Sequence, residues 1–508
     1  MIYQNQTVLS KSGDSLVLFA DGTNMHSKYN PSREAESFGQ EIPPQTGCIV
    51  VAGIGGGFHL LALQKKFPEA LIIVCEADEQ SLAFCKKIPL VQELVRNSHF
   101  IFCTATEVAS ILLQKYLPAF YNSFFFLPHR VWKDKNKSLT ESLENEIQAS
   151  LKKISADYSV QTHFGKIWQH SLFLNLKEYS NSGHSFCAGT IPLDKTAAVI
   201  AAGPSLNRTI HTLVNNKEKY YIIATDTSYG TLIKHSLIPD AVVSLDGQYV
   251  SATHFYCCPQ NEIPGKGTLF FFDLSGSPAA IHHVLSKGYR VIYFQSGHPL
   301  ASYAFPSLPL IHTGSGTVTI ACCDIAAQLG FKRIALFGAD FCYSGGKSYA
   351  QGTYLDSLYN RAANRLQPSE TQFDSLLFRT PLFALDRQTT FSGTLSNARS
   401  TDVLKGYEET LVSWAAENGF STQNNILFRG KSSATFSQPD FSYAAFIKLY
   451  LKELKPCADT AADAALQNTV VQTVLPYTAW LRAHNSEKTD LSFFRLIKLA
   501  YSDAVRYT

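Results

Sequence analysis

Apolar runs of five or six residues, each closed by a polar or glycine-bearing corner and followed by a mixed segment, recur along most of this chain. Near the N-terminus CIVVAG, ALIIVCEAD and HFIFCTATE have that form. The corner GIGGG leads into FHLLALQKKF, whose apolar residues fall on a helical spacing. From about residue 196 the alternation starts again. AAVIAA, YYIIAT, AVVSL, TLFFF, RVIYF and RIALFG predict strands, and segments beginning at Ser205, Thr227, Pro278 and Thr317 predict helices. Strands that are apolar throughout are covered on both faces, so their alternation with helices predicts a parallel, doubly wound sheet. Between the two units a charged helical passage runs from about 138 to 155 and, less regularly, to about 179. The Ser/Gly-rich SNSGHSFCAGTIPLDK then reads as a linker. After about residue 386 the pattern loosens. VLKGYEETLVSWAAENGF predicts an amphipathic helix closed at Gly419, and the last 70 or so residues predict an all-helical end. The expectation is an α/β chain in three parts: an N-terminal Rossmann-like unit (1–185), a central doubly wound domain (190–435) and a C-terminal helical domain (436–508).

Composition narrows the class. At 508 residues the chain is too long for one core, and 45% hydrophobic with 12% aromatic residues supply several. Lys plus Arg number 44 against 41 Asp plus Glu, and a net charge of +3 gives no reason to expect nucleic acid or an anionic membrane as partner. No apolar run reaches the roughly 18 residues of a membrane span, and MIYQNQTVLSKSGD lacks the form of a secretory signal. The eleven cysteines, without C-x-x-C and with adjacent pairs at 257–258 and 322–323, do not read as a disulfide framework. A cytoplasmic location is the expectation.

The chemistry-bearing candidates gather after strands. Gly53, Gly55 and Gly57 follow the first strand, and Glu76 ends the next. That layout lets a cofactor approach the backbone while an acid holds ribose hydroxyls, or simply permits a tight turn. In the central domain Gly203-Pro204-Ser205 makes a corner before a helix. Asp226, Asp246, Asp273 and Asp340 all end strands. Thr313, Gly314, Ser315, Gly316 and Thr317 form a second helix start, where free N–H groups favour an anion such as phosphate. Past Asp340 and Phe341 come Tyr343, Lys347 and Tyr349, donors suited to a phosphate oxygen that becomes a leaving group.

IAAGPSLN, IATDTSYGTLIKHSLIPDAVVSLDG and HTGSGTVT followed by LGFKRIALFGADFCYSGGKSYA resemble the motility-associated factor (Maf) family of flagellin glycosyltransferases, as does NMHSKYNPSREAESF. Their shared domain is similar to hydroxymethyl-dihydropterin diphosphokinases and, more distantly, to bacterial CMP-sialic acid sialyltransferases. The resemblance implies a sialyltransferase-like central domain that moves a pseudaminic, legionaminic or sialic type of acid from CMP to Ser or Thr of flagellin. It needs no metal and no cofactor beyond the CMP-sugar donor. It further implies that Gly203, Pro204 and Ser205 lie along the CMP, with Asp226 at a position where the sialyltransferases have asparagine. Gly314, Ser315 and Gly316 would embrace the cytidine, and Tyr343 and Tyr349 would touch the departing phosphate. Two departures stand out: relatives carry His where this chain has Tyr349, and no histidine occurs between His312 and His484 to serve as the expected base. Asp246, Asp226 or His312 are the replacements, with Asp246 preferred. Two rival readings remain. One is a pterin-type diphosphokinase using ATP with Mg²⁺ held by Asp226, Asp246 and Asp340. The other is a flagellin-binding chaperone with a degenerate nucleotide pocket.

Overall fold

The computed structural model describes all residues except 1, 5, 183–190, 262–266, 315, 380, 385–390, 394, 396, 432–433, 458–467 and 485–491. The chain is α/β and divides into two compact units. One comprises Met1–Lys166 with Lys452–Ala504, the other Ile167–Leu451 with Val505–Thr508.

In the first unit the strands β1 (Thr46–Ala52), β2 (Leu71–Glu76), β3 (Phe100–Thr104) and β4 (Ser123–Pro128) form a wholly parallel sheet of order β3-β2-β1-β4. β1 and β2 are buried along nearly their whole length, as continuous apolar runs demand. β4 is an edge strand, half-buried at most positions, and its sequence SFFFLP gives a weaker signal than its neighbours. Helix α1 (Phe58–Lys66) follows the glycine corner after β1. The charged passage is one 46-residue helix, α2 (Lys137–Ser182), where the sequence pattern fades after about residue 155.

The main sheet of the second unit has eight strands among the described residues: β5 (Thr196–Ile200), β6 (Tyr220–Thr225), β7 (Ala241–Ser244), β8 (Leu269–Asp273), β9 (Arg290–Phe294), β10 (Arg333–Phe337), β11 (Ser421–Gln423) and β12 (Ile426–Phe428). Their order is β9-β8-β7-β6-β5-β10-β12-β11. The first six are parallel; β12 runs antiparallel to β10, and β11 to β12. Three helices flank the strands of the sheet's centre: α3 (Leu206–Asn215) after β5, α4 (Val318–Leu329) before β10, and α5 (Asp402–Glu417) before β11. α4 is buried almost all round, its alanine and cysteine side chains packed under β5, β6 and β7.

The expected boundaries near 185–190 and 435–436 fall elsewhere in this division. The first lies within or beside residues 183–190, outside the described ones. Of the C-terminal helices, α6 (Tyr443–Cys457) begins in the second unit and ends in the first, and α7 (Leu475–Ala483) belongs to the first. A Cβ at Gly165 of α2 would lie 1.9 Å from the carbonyl oxygen of Pro476, so α2 and α7 touch backbone to backbone and only glycine fits there.

Candidate functional site

The second sheet reverses direction at β5. The chain winds outward through β6 to β9, then returns to the other side of β5 as β10. In doubly wound sheets the crevice at the carboxyl ends of two such strands is the place where ligands bind. A cavity of about 250 Å³ opens there. Ala201, Ala202 and Gly203 line it after β5, residues 338–343 after β10, and Gly316, Thr317, Val318 and Thr319 at the start of α4. Thr225, Thr227, Ser348, Tyr349, Leu404 and Tyr407 complete it. Seven residues expected from the sequence are brought together in this lining: Gly203, Gly316, Thr317, Asp340, Phe341, Tyr343 and Tyr349.

The two strand ends are tied beyond the sheet. Ala201 N–H donates to the Phe337 carbonyl and Gly203 N–H to that of Gly338, both at 2.8 Å. A Cβ on Gly338, at φ +67°, would lie 2.4 Å from Ala201 O, and one on Gly203 would meet Gly338 O at 2.4 Å. Glycine at both positions is what allows this approach.

Asp340 then closes one of the two helix starts. Its buried carboxylate accepts the Ser205 N–H at 2.7 Å, the Ser205 hydroxyl, and the Ser392 hydroxyl at 2.5 Å. Ser205, at the N-cap of α3, makes no side-chain capping bond, and its hydroxyl turns to Asp340. The N-terminus of α3 is thereby matched with an anion of the protein's own, and a phosphate placed there would meet a carboxylate. Pro204 and Ser205 do not line the cavity. The start of α4 differs. Its N-cap, Thr317, makes no side-chain capping bond, and Thr317, Val318 and Thr319 form cavity wall. Among the described residues its first-turn N–H groups therefore have no side-chain acceptor. Gly314 (φ +54°) and Gly316 (φ +94°) turn the chain into this position. Thr313 and Gly314 lie outside the lining, and Ser315 lies outside the described residues.

Three phenols face the same space. Burial raises the hydroxyls of Tyr343 and Tyr407 above the ordinary range. Tyr349 keeps 36% of its surface exposed, yet burial of its hydroxyl, helped by the nearby Tyr354, Tyr343 and Asp226, pushes it up to about 12. All three stay protonated hydrogen-bond donors at neutral pH. Ser348 is buried and its hydroxyl has no partner among the described residues, the condition a polar ligand relieves. Sequence reasoning singles out neither Tyr407 nor Ser348, because one sits on an amphipathic helix and the other between more conspicuous neighbours.

Other expected residues are engaged elsewhere. The Lys347 ammonium lies 4.3 Å over the Phe373 ring, a cation–π contact, and not in the lining. Asp226 is buried, accepting Thr227 N–H at 2.6 Å and the Ser244 hydroxyl at 2.8 Å. Asp246 accepts Gln248 N–H at 2.8 Å. Burial raises its carboxyl, Asp226 adds to the rise and His254 opposes it. Asp273 accepts Ser275 N–H at 2.7 Å. Asp226, Asp246 and Asp273 thus each accept a backbone N–H one or two residues on, Asp340 holds Ser205 and Ser392, and of these four only Asp340 lines the cavity. His254, whose Nδ1 is buried without a partner among the described residues and whose ring lies 4.4 Å from that of Tyr354, joins the Asp246 neighbourhood. It precedes the site in the chain, so the expectation of a base beyond Tyr349 does not reach it.

The N-terminal glycine corner is packed with protein. A Cβ on Gly53 would meet Trp132 at 2.7 Å, one on Gly55 the Met25 sulfur at 2.4 Å, and one on Gly57 Val91 at 3.0 Å. Glu76 is fully buried. It accepts Tyr3 O–H at 2.9 Å, Ile54 N–H at 3.1 Å, Ala77 N–H at 3.0 Å and Trp132 Nε1–H at 2.6 Å. A carboxylate so engaged has no oxygen left for ribose, and the tight-turn reading of these glycines is the one the packing supports.

Residues 170–346 match the family described as 6-hydroxymethylpterin diphosphokinase MptE-like. An uncharacterized protein of Treponema pallidum (strain Nichols) is 32% identical over 239 residues, 47% of this chain and 75% of its own length. A second from that organism is 31% identical over 171 residues, 34% of this chain and 80% of its own length. A third is 21% identical over 384 residues, 74% of this chain and 65% of its own. Among solved structures, the Maf glycosyltransferase from Magnetospirillum magneticum AMB-1 matches 100% of this chain and 91% of its own, with a TM-score of 0.51 at 13% identity. That likeness is one of fold.

Proposed function

We propose a glycosyltransferase, on the premise that this chain belongs to the same family as the first two Treponema pallidum proteins and carries the fold of the Magnetospirillum enzyme. The donor in this reading is a CMP-activated nonulosonic acid, the acceptor a Ser or Thr hydroxyl of flagellin, and the compartment the cytoplasm. One observation carries it: a side-chain-uncapped helix start and three protonated phenols share the cavity at the sheet's reversal point. The phosphate of CMP lies against the N–H groups of α4. Tyr343 and Tyr349 donate to the phosphate oxygen as the bond to the sugar breaks and charge develops on it. Asp246, whose carboxyl burial raises, takes the acceptor's proton from outside the nucleotide cavity. At about 250 Å³ the cavity is slightly below the ~300 Å³ of ordinary ligand sites, so it suits the nucleotide while the sugar extends outward.

The MptE-like match favours a second reading, pyrophosphoryl transfer from ATP with Mg²⁺. Against it, Asp226 and Asp246 stand outside the cavity and Asp340 is bound to Ser205 and Ser392. The two readings part in a thermal-shift panel. CMP at about a hundred times its Kd is expected to stabilise the chain by about 2.7 kcal/mol, with no requirement for Mg²⁺. Stabilisation by ATP only with Mg²⁺, and none by CMP, would reverse the choice.

A further inference from the structure

The first unit has its own reversal point, between β1 and β4, and three histidines stand there. His129 follows β4, and its N–H donates to the Ala52 carbonyl at the end of β1 at 2.9 Å. His59 lies in the first turn of α1. His26 comes from the N-terminal segment, with its Nε2 accepting the N–H of Gly56 at 3.1 Å. The three rings form a triangle with centroids 5.0 to 5.2 Å apart, and one ring nitrogen from each lies within 4.8 Å of the others. All three side chains are buried. Phe38 packs against His59 and His129, and Phe58 against His26, which fixes the ring positions.

Apolar packing does not explain this arrangement. Imidazole is a poor choice for filling a core, and the Nδ1 atoms of His59 and His129 are both buried without a partner among the described residues. The tautomer of His59 is informative. Its Nε2 meets the Gly53 carbonyl at 3.0 Å, a contact it makes as donor, which leaves the lone pair on the orphaned Nδ1. A ring N–H given to a backbone carbonyl is the usual support of a metal-bound histidine. We infer that His26, His59 and His129 hold one divalent transition cation of the zinc class. The cluster borders a cavity of about 720 Å³, also lined by Glu34, Arg130 and Asp134, so a fourth coordination position opens toward it. Three nitrogens around zinc stand ~3.3 Å apart, and the rings close in by about an ångström to reach that spacing. The metal takes the His26 lone pair in place of the Gly56 N–H. This site is independent of the glycosyltransferase reading and lies in the other unit.

The test uses the untagged full chain, stripped with a chelator and titrated with Co²⁺. One equivalent is expected to bind with a Kd below ~10 μM, to give the visible bands of a low-coordinate nitrogen-ligated ion, and to be displaced by Zn²⁺. His59→Ala and His129→Ala, shown folded by circular dichroism, are expected to weaken binding more than about tenfold. His282→Ala, at an exposed position of the second unit, is expected to leave it unchanged. If the first two variants do not fold, the ring-nitrogen NMR signals of the wild-type chain decide: Zn²⁺ must move those of three histidines. Absence of stoichiometric binding, unaltered Co²⁺ spectra in folded His59→Ala and His129→Ala, or unmoved ring signals overturns the inference.

Discussion

On the glycosyltransferase reading proposed above, the phenols of Tyr343 and Tyr349 are the residues on which the chemistry turns. A hydroxyl whose proton is held by burial cannot act as a base near neutrality, but it donates well to an oxygen gaining charge. Such a bond strengthens as the sugar leaves, so its loss should fall on the chemical step more than on binding. Tyr343→Phe and Tyr349→Phe are expected to lower the single-turnover rate by about 10- to 1,000-fold each. Affinity for CMP should change by less than about threefold. Rapid-quench measurements against the CMP-sugar check this, and rates within twofold of the parent would remove both tyrosines from the mechanism. Asp340 belongs to a different category. In sequence it has the look of a ligand group because it ends a strand at the right edge, but its bonds to Ser205 and Ser392 make it part of the frame.

Among elements, α4 and α3 show how alike two helix starts can look in sequence and how differently they can serve. Both follow small-residue corners with a hydroxyl residue at the N-cap. What separates them is a carboxylate more than a hundred residues away in the chain, which no local pattern reveals. The same limit explains the rest of what could and could not be read. The six apolar strands of the central domain and the glycine that closes α5 were legible, because burial on both faces and a left-handed residue at φ +71° leave local marks. β4, β11 and β12 are edge or short strands with half-exposed positions and leave little mark. Lys347 was legible as a cation but not as one placed over Phe373. The His26, His59 and His129 group is invisible in sequence, since each comes from a different element. The role given to α4 yields its own prediction. Val318→Pro removes one first-turn N–H at a position where proline is tolerated, and Thr317 (φ −95°, ψ 125°) already has the extended conformation that precedes proline. The melting temperature should hold within about 2 °C while CMP binds about 3- to 10-fold more weakly. Calorimetric titration reads the second number, and unchanged CMP affinity in the folded variant would detach the phosphate from this helix.

At the scale of the whole molecule, two sheets, one parallel and one parallel over six of its eight strands, each place a cavity at the point where strand order reverses, and their linings titrate differently. The first unit carries His26, His59 and His129, all held below their ordinary range mainly by burial; among the described residues the second carries one comparable histidine, His298, lowered to about 4. An unfolded chain takes up a proton on each near pH 6.5, whereas the folded chain does so at lower pH, near 3 for His26 and near 4 for His129 and His298. Between those values the unfolded state binds more protons, and stability falls as pH falls. From pH 7 to 5.5 the loss is about 1 kcal/mol per histidine, hence about 3 to 4 for the metal-free first unit and about 1 for the second. Carboxyls widen the difference. Asp240, Asp246 and Asp273 in the second unit are raised by burial, so acid eases their folded-state cost; Glu76 does the same in the first unit but is alone among its buried acids. Amide exchange followed by mass spectrometry, corrected for the intrinsic effect of pH, is therefore expected to show β1 to β4 losing protection by pH 5.5 well before β5 to β10. Equal losses in both sheets, or an earlier loss in the second, would mean that the three imidazoles are not held neutral by the fold. Saturating Zn²⁺ should then restore protection in the first sheet alone, because a cation bound to the neutral rings competes with the protons that unfold it.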